Sequence, residues 1–160
     1  MNQYEKTLKI IEQQENELQF TEFSNDDALT IGNILVALAG KENLAVTIDI
    51  TRFGQQLFHY AFNGTSADND RWIKGKIKIA CLMNHSSYYC ELYFKNRGTK
   101  IEDDFHLPHT EYLPYGGCFP IMIANTGMIG TISVSGLASE DDHALVIKAI
   151  SQYMDKDKVI

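Results

Sequence analysis

The sequence lacks a disulfide framework, a long hydrophobic run and an excess of positive charge. Its three cysteines, Cys81, Cys90 and Cys118, are odd in number and show no C-x-x-C spacing, which argues against structural disulfides and structural zinc. No apolar run approaches the roughly 18 residues that span a bilayer, and the first residues form a charged amphipathic pattern rather than an export signal. We therefore expect a cytoplasmic protein with reduced thiols.

Positive charge is scarce: 14 lysines and arginines stand against 21 aspartates and glutamates, for a formal net charge of −7. A nucleic-acid interface needs clustered cations that displace counterions from phosphate, and an anionic membrane surface attracts basic segments. Neither partner is expected. The length of 160 residues and the 44% hydrophobic content predict one domain over 1–160, with an N-terminal helix in 1–19 and the core in 20–160.

Motifs of well-defined enzymes are also missing. The chain has no H-E-x-x-H, C-x-x-C-H, phosphate-loop or G-x-S-x-G pattern. His106 and His109 form an H-x-x-H, but Pro108 interrupts it, so a helical metal pair is not favoured. Cys81 fits a buried helical pattern, whereas Cys118 lies where a turn meets a strand, which leaves its accessibility open. The sequence predicts no metal site, identifies no catalytic residue and leaves enzymatic activity open.

Hydrophobic periodicity predicts helices alternating with two antiparallel hairpins. The segment 55–62 alternates apolar side chains on both of its faces, so both faces are expected to be partly buried. A polar, proline-containing loop is expected over 102–117, and Ser139 is expected to cap the last helix. This order favours an α+β domain on an antiparallel sheet. A helix is predicted over about 3–17. A second helix follows the cap residues Ser24 and Asp27 and ends near Gly40, a third follows the turn and cap residues 63–69 and reaches Met83, a fourth covers 88–96, and the last follows Ser139. Strands are predicted over about 46–51, 55–62, 118–124 and 128–135.

Lys76 is the anomaly of the predicted helix that carries Trp72. It falls on an apolar stripe with Trp72, Ile79 and Met83 at helical spacing. A lysine there can run its stem along Trp72 and keep its ammonium in water. Alternatively, its ammonium can bind a ligand carboxylate. The sequence leaves both interpretations open.

Five distinctive segments follow one another along the chain: FGQQLFHYAFNGT at 53–65, DNDRWI at 68–73, GGCFPI at 116–121, GTISVSGL at 130–137 and EDDHALV at 140–146. In this order they resemble uncharacterised cytosolic relatives of the GlcG/HbpS haem-degrading-like family, with similarity from about Phe23 to Tyr153. Each segment alone is a weak signal, and the ordered set is specific. The resemblance implies a profilin-like fold with an antiparallel sheet of about five strands flanked by helices, and assembly into homo-oligomers.

Residues that match the family's motifs supply the candidate binding site. Asn69 and Lys76 lie two helical turns apart with Trp72 between them, and His59 precedes that helix by a short turn. The final helix brings His143 to them only if it begins beside the first hairpin, as the resemblance implies. The alternative is that these residues only fasten helix to sheet. The matching positions are His59, Gly64, Thr65, Asn69, Trp72, Lys76, Gly116, Gly117, Phe119, Pro120, Glu140, Asp142 and His143.

Two functions follow from this site. The first is a non-catalytic, oligomeric module or scaffold that binds a small anionic ligand between Trp72 and Lys76. The second is a haem-binding or haem-degrading-like protein with His59 or His143 as axial ligand and Lys76 beside a propionate. Either histidine can instead be structural, His59 bonded to a backbone carbonyl and His143 capping its helix.

Overall fold

Polar side chains cap the starts of the first three helices, and the caps of the second and third were predicted from the sequence. In the computed structural model, which describes residues 1–155, the side chains of Asn2, Ser24 and Ser66 each accept a backbone N–H of the first turn. In each case the side chain of the third helical residue accepts a hydrogen bond from the backbone N–H of the cap residue. These capping boxes satisfy amides that would otherwise lack partners.

Six helices and four strands follow one another along the described residues. They are α1 (Gln3–Glu17), α2 (Asn25–Lys41), β1 (Thr47–Arg52), β2 (Gln55–Ala61), α3 (Ala67–Met83), α4 (Ser87–Arg97), α5 (Ile101–Phe105), β3 (Cys118–Ile123), β4 (Gly127–Ser135) and α6 (Ser139–Tyr153). Within residues 1–155, no helix has the length and apolar content to cross a bilayer.

The sheet has the order β2-β1-β4-β3, and all its neighbouring strands are antiparallel. The prediction of about five strands is therefore wrong by one. A segment does run beside β3, but only Phe20 pairs there. Its N–H donates to Met122 O and its carbonyl accepts from Ala124 N, both at 2.8 Å. The chain then enters α2, so this contact is a single bridge and not a fifth strand.

The two faces of the sheet differ in polarity. Ile48 and Ile132 belong to the apolar core that α2 and α6 cover. On the opposite face Thr47, Asp49 and Ser133 are buried under α3. Strand alternation requires this division, because adjacent side chains point to opposite faces. A helix packed on that polar face meets hydroxyls and a carboxylate as well as carbon.

The burial predictions for β2 and Cys81 are wrong, and the fold decides the accessibility of Cys118, which the sequence left open. β2 is an edge strand, paired to β1 alone, and five of its seven residues are exposed rather than buried on both faces. Cys118 begins β3 beneath α3 and is fully buried, so it is not accessible. Burial raises the pKa of its thiol to about 12, which disfavours the thiolate. Cys81 lies on the outer side of α3 and is exposed, not core.

Two local predictions also change. The expected loop over 102–117 contains the short helix α5, which Ile101 anchors in a cluster with Ile79 and Phe94. Ser139 is the first helical residue of α6 rather than its cap, and Ala138 stands at the cap position without a side-chain bond. The carboxylate of Asp142 instead accepts the N–H of Leu137, ahead of the helix, at 3.0 Å.

Candidate functional site

Lys76 and Asp142 form a buried ion pair where α3, β4 and α6 meet. The two residues are 3% and 1% exposed, and Nζ lies 3.0 Å from Oδ2. Nζ also donates to the carbonyl of Val134 at 3.1 Å. Burial raises the pKa of Asp142, and the neighbouring Lys76 opposes that rise. The ammonium does not reach water, so the snorkelling interpretation of Lys76 is wrong, and its carboxylate partner belongs to the chain itself.

The pair fits because a glycine backbone passes close to it. Gly117 has a φ of 133°, a region that side chains rarely adopt. A Cβ on Gly117 would lie 2.8 Å from Lys76 Nζ and 2.3 Å from Val134 O. The approach of the 116–117 segment to α3 and β4 therefore requires glycine at this position.

His143 is a neutral core residue in this arrangement. It is 4% exposed, and its Nε2 lies 2.7 Å from Oε1 of Gln14 on α1. Its ring lies 5.1 Å from that of Tyr88 and 6.0 Å from that of Phe119. Burial lowers its pKa to about 3. It does not cap its own helix.

His59 and Asn69 hold α3 to the sheet from two sides. His59 Nε2 on β2 lies 2.7 Å from Asp70 Oδ1 at the start of α3. Asn69 accepts the N–H of Ser66 as part of the cap and donates to the carbonyl of Ser135 at 3.4 Å. Asn69 and Lys76 thus both donate to backbone carbonyls at the end of β4. His59 instead lies on the edge strand β2 and bonds to Asp70 of α3. Their part in ligand binding stays a prediction.

Trp72 lines a separate cavity of about 660 Å³, here named the Trp72 cavity. Its aromatic wall is Trp72 with Tyr115, whose rings meet edge to face at 5.2 Å. Leu113 and Phe94 extend the apolar surface. The volume falls within the range of small-molecule sites. The lining residues are Arg71, Trp72, Glu91, Phe94, Lys95, Gly98, Thr99, Lys100, Ile101, Glu102, His109, Thr110, Leu113, Pro114 and Tyr115.

Three cations and two carboxylates line the Trp72 cavity. Buried Glu91 accepts from Lys95 Nζ at 2.6 Å and from Gly116 N at 3.0 Å, and this bond raises the pKa of Lys95. Arg71 lies over the Trp72 ring at 5.4 Å. Lys100 has no ion pair among residues 1–155. A ligand anion can therefore pair with Lys100 without breaking an existing ion pair.

His109 also lines this cavity, and sequence reasoning missed it. Its Nδ1 lies 2.8 Å from Glu102 Oε2, which favours the tautomer whose Nε2 lone pair is free. Oε1 of Glu102 is buried without a hydrogen-bond partner among the described residues. Pro108 argued against a helical metal pair of His106 and His109, and His109 lies in a loop. A histidine in a loop can still line a cavity. The seven-residue spacing of Glu102 and His109 across that loop was the available signal.

A family model, curated relatives and solved structures match this chain. The model of the family described as haem degrading protein HbpS-like matches residues 23–151. A UPF0303 protein of Streptomyces avermitilis is 41% identical over 150 residues, which are 94% of this chain and 92% of that protein. The crystal structure of Ybr137w is similar with a TM-score of 0.86 and 26% identity, over 93% of this chain and 88% of that one. The PduOC:heme complex matches in fold, with a TM-score of 0.67 and 18% identity over 81% of this chain and 93% of that one.

Burial of His143 predicts a loss of stability in acid. Its folded pKa of about 3 lies below the ordinary 6.5, so the unfolded chain binds the proton first as the pH falls below 6.5. Between pH 7 and pH 5 this costs about 2 kcal/mol of unfolding free energy. Urea denaturation at the two pH values should show a smaller acid loss in His143→Gln than in wild type. The exposed control His106→Gln should match wild type. Equal losses in all three proteins would contradict the assignment.

Proposed function

This chain belongs to the HbpS-like haem-degrading family, as the resemblance predicted, and we propose that it is a binding module for a flat, small anionic ligand. The Trp72 cavity carries the proposal. Its aromatic wall suits the face of a flat ligand, and Arg71, Lys95 and Lys100 supply cations around it.

Within this proposal, the five predicted site residues have different roles. Trp72 contacts the ligand. Lys76 and Asn69 position α3 against the end of β4, and His59 ties the same helix to β2. His143 fixes α1 to α6 through Gln14. Lys76, Asn69, His59 and His143 are therefore positioning residues, because each already has a hydrogen-bond partner within the chain.

An aromatic sulfonate tests the cavity. 1-Anilinonaphthalene-8-sulfonate should bind saturably and quench Trp72, the only tryptophan of the chain. Tyr115→Ala should weaken binding by about fivefold, because it removes the second aromatic wall. The matched control is Tyr60→Ala on β2, since Tyr115 and Tyr60 are 44% and 45% exposed.

Charge is tested in the same titration. Lys100→Met should lower the affinity for the sulfonate, whereas Lys148→Met on the exposed side of α6 should leave it unchanged. Uptake that does not saturate, or equal affinities in Tyr115→Ala and Tyr60→Ala, would reject the cavity as the binding site.

Haem is the second candidate ligand, and His109 is the observation that favours it. A single imidazole suffices for axial ligation, and the bond to Glu102 leaves Nε2 of His109 for iron. Lys95 and Lys100 offer cations for propionates. The residues present thus fit the group. The predicted axial ligands His59 and His143 do not line this cavity, and His143 is also buried.

Titration with hemin separates the two candidates. If haem binds, the Soret band should saturate at one hemin per chain, and His109→Ala should weaken binding by about tenfold. His106→Ala is the matched control from the same loop and should behave as wild type. Unsaturable uptake in wild type would reject haem and leave the sulfonate result standing.

We further propose that the chain forms homo-oligomers. Phe53, in the turn between β1 and β2, is a large apolar side chain that is 79% exposed. A second copy of the chain can bury such a ring. A solution mass above 18.1 kDa at micromolar concentration is expected from light scattering.

A further inference from the structure

The turn between β1 and β2 holds a phenylalanine that its backbone disfavours. Phe53 and Gly54 have φ of 48° and 78°, the geometry of a tight hairpin turn that selects Asn-Gly or Gly-Gly. A bulky residue is a rare occupant of this region. Phe53 is also 79% exposed, and its bond to Ile129 O uses only the backbone N–H. Neither turn geometry nor packing within the chain accounts for an aromatic ring here.

An apolar groove lies beside this turn. Its volume is about 470 Å³, and we name it the Phe53 groove. Ile77 and Cys81 of α3 form one side and Met128 and Ile129 of the β3–β4 hairpin another, with Phe53 itself at the rim. A projecting ring and an apolar recess therefore share one surface patch.

We propose that this patch is an interface between two copies of the chain, in which Phe53 of each copy enters the Phe53 groove of the other about a twofold axis. The inference rests on the proposed self-association and specifies its surface. A twofold contact uses the same patch on both copies, so it requires a projection and a recess side by side. The Phe53 groove and its rim meet that requirement.

The area that such a contact buries supports a second copy as the occupant. A phenylalanine side chain buries on the order of 200 Å². Two insertions remove roughly 400 Å² from the two rings and about as much from the two grooves, which together are about two thirds of the roughly 1,200 Å² that the smallest stable interfaces bury. The edge strand β2 begins at Gln55, directly after the turn, and its seven residues include no proline, lysine or arginine to block pairing. A second copy offers this strand at the same place and can supply the remaining area.

The substitution Phe53→Asn tests the interface, because it should weaken association without destabilising the monomer. Asparagine suits the positive φ better than phenylalanine, so the variant monomer should melt at the same temperature as wild type or higher. Its dimer dissociation constant should nevertheless rise at least tenfold. The matched control is Leu29→Asn, which removes another exposed apolar side chain, 53% exposed on α2, and should leave association unchanged.

Cys81 reports on the groove directly. It is the exposed cysteine, since Cys90 and Cys118 are buried. Its rate of alkylation by N-ethylmaleimide should fall as wild-type protein is concentrated through the dissociation constant. In Phe53→Asn the rate should stay high over the same range. Sedimentation equilibrium on the same samples supplies the masses.

Three results would overturn the proposal. A wild-type oligomer that Phe53→Asn leaves intact, with Cys81 equally reactive, would place self-association elsewhere while leaving the assembly proposal standing. A wild-type monomer at every concentration would reject assembly as well as this interface. A lower melting temperature of the variant monomer would show that Phe53 packs within its own chain. None of these outcomes bears on the Trp72 cavity, whose ligand is measured separately.

Discussion

The buried ion pair of Lys76 and Asp142 is the constraint on which the functional surfaces depend. Two opposite charges lie at the junction of α3, β4 and α6, where water cannot replace either partner. Removing one partner of a buried pair leaves an uncompensated charge, which is strongly destabilising. The pair therefore specifies how α3 lies on the polar face of the sheet. Gly117 passes so close to Lys76 that the end of the 106–117 segment is fixed by the same contact.

Helix α3 connects the three sites of interest. Trp72, one turn before Lys76, forms the wall of the Trp72 cavity, and Ile77 and Cys81, on its second half, line the Phe53 groove. The pair thus holds a helix whose one half faces a candidate ligand and whose other half faces a candidate second copy. Tyr115, the second aromatic wall of the Trp72 cavity, lies two residues before Gly117, so the contact of Gly117 with the pair also positions Tyr115. Ligand binding and assembly are proposed at different places, but both use surfaces that the buried pair positions.

Local patterns in the sequence predicted local structure well. Caps such as Ser24 and Ser66, and the alternation around Ile48, reflect interactions between residues close in the chain. The errors come from distant contacts. Asp142, the partner of Lys76, is 66 residues away, and Gln14, the partner of His143, is 129 residues away. Residue spacing cannot identify such distant partners. The interpretations of Lys76 and His143 from the sequence therefore did not include Asp142 and Gln14. The exposure of β2 followed from strand order, which hydrophobic alternation does not encode.

The central claim is that Lys76 and Asp142 stabilise the fold as a coupled pair rather than as separate residues. A double-mutant cycle in urea with Lys76→Met, Asp142→Asn and the double variant measures this coupling most directly. Each single substitution should lower the unfolding free energy by about 3–5 kcal/mol, because it leaves a buried group without its partner. The double variant should lose at least about 2 kcal/mol less than the sum of the two. Losses that add within about 0.5 kcal/mol would contradict the account.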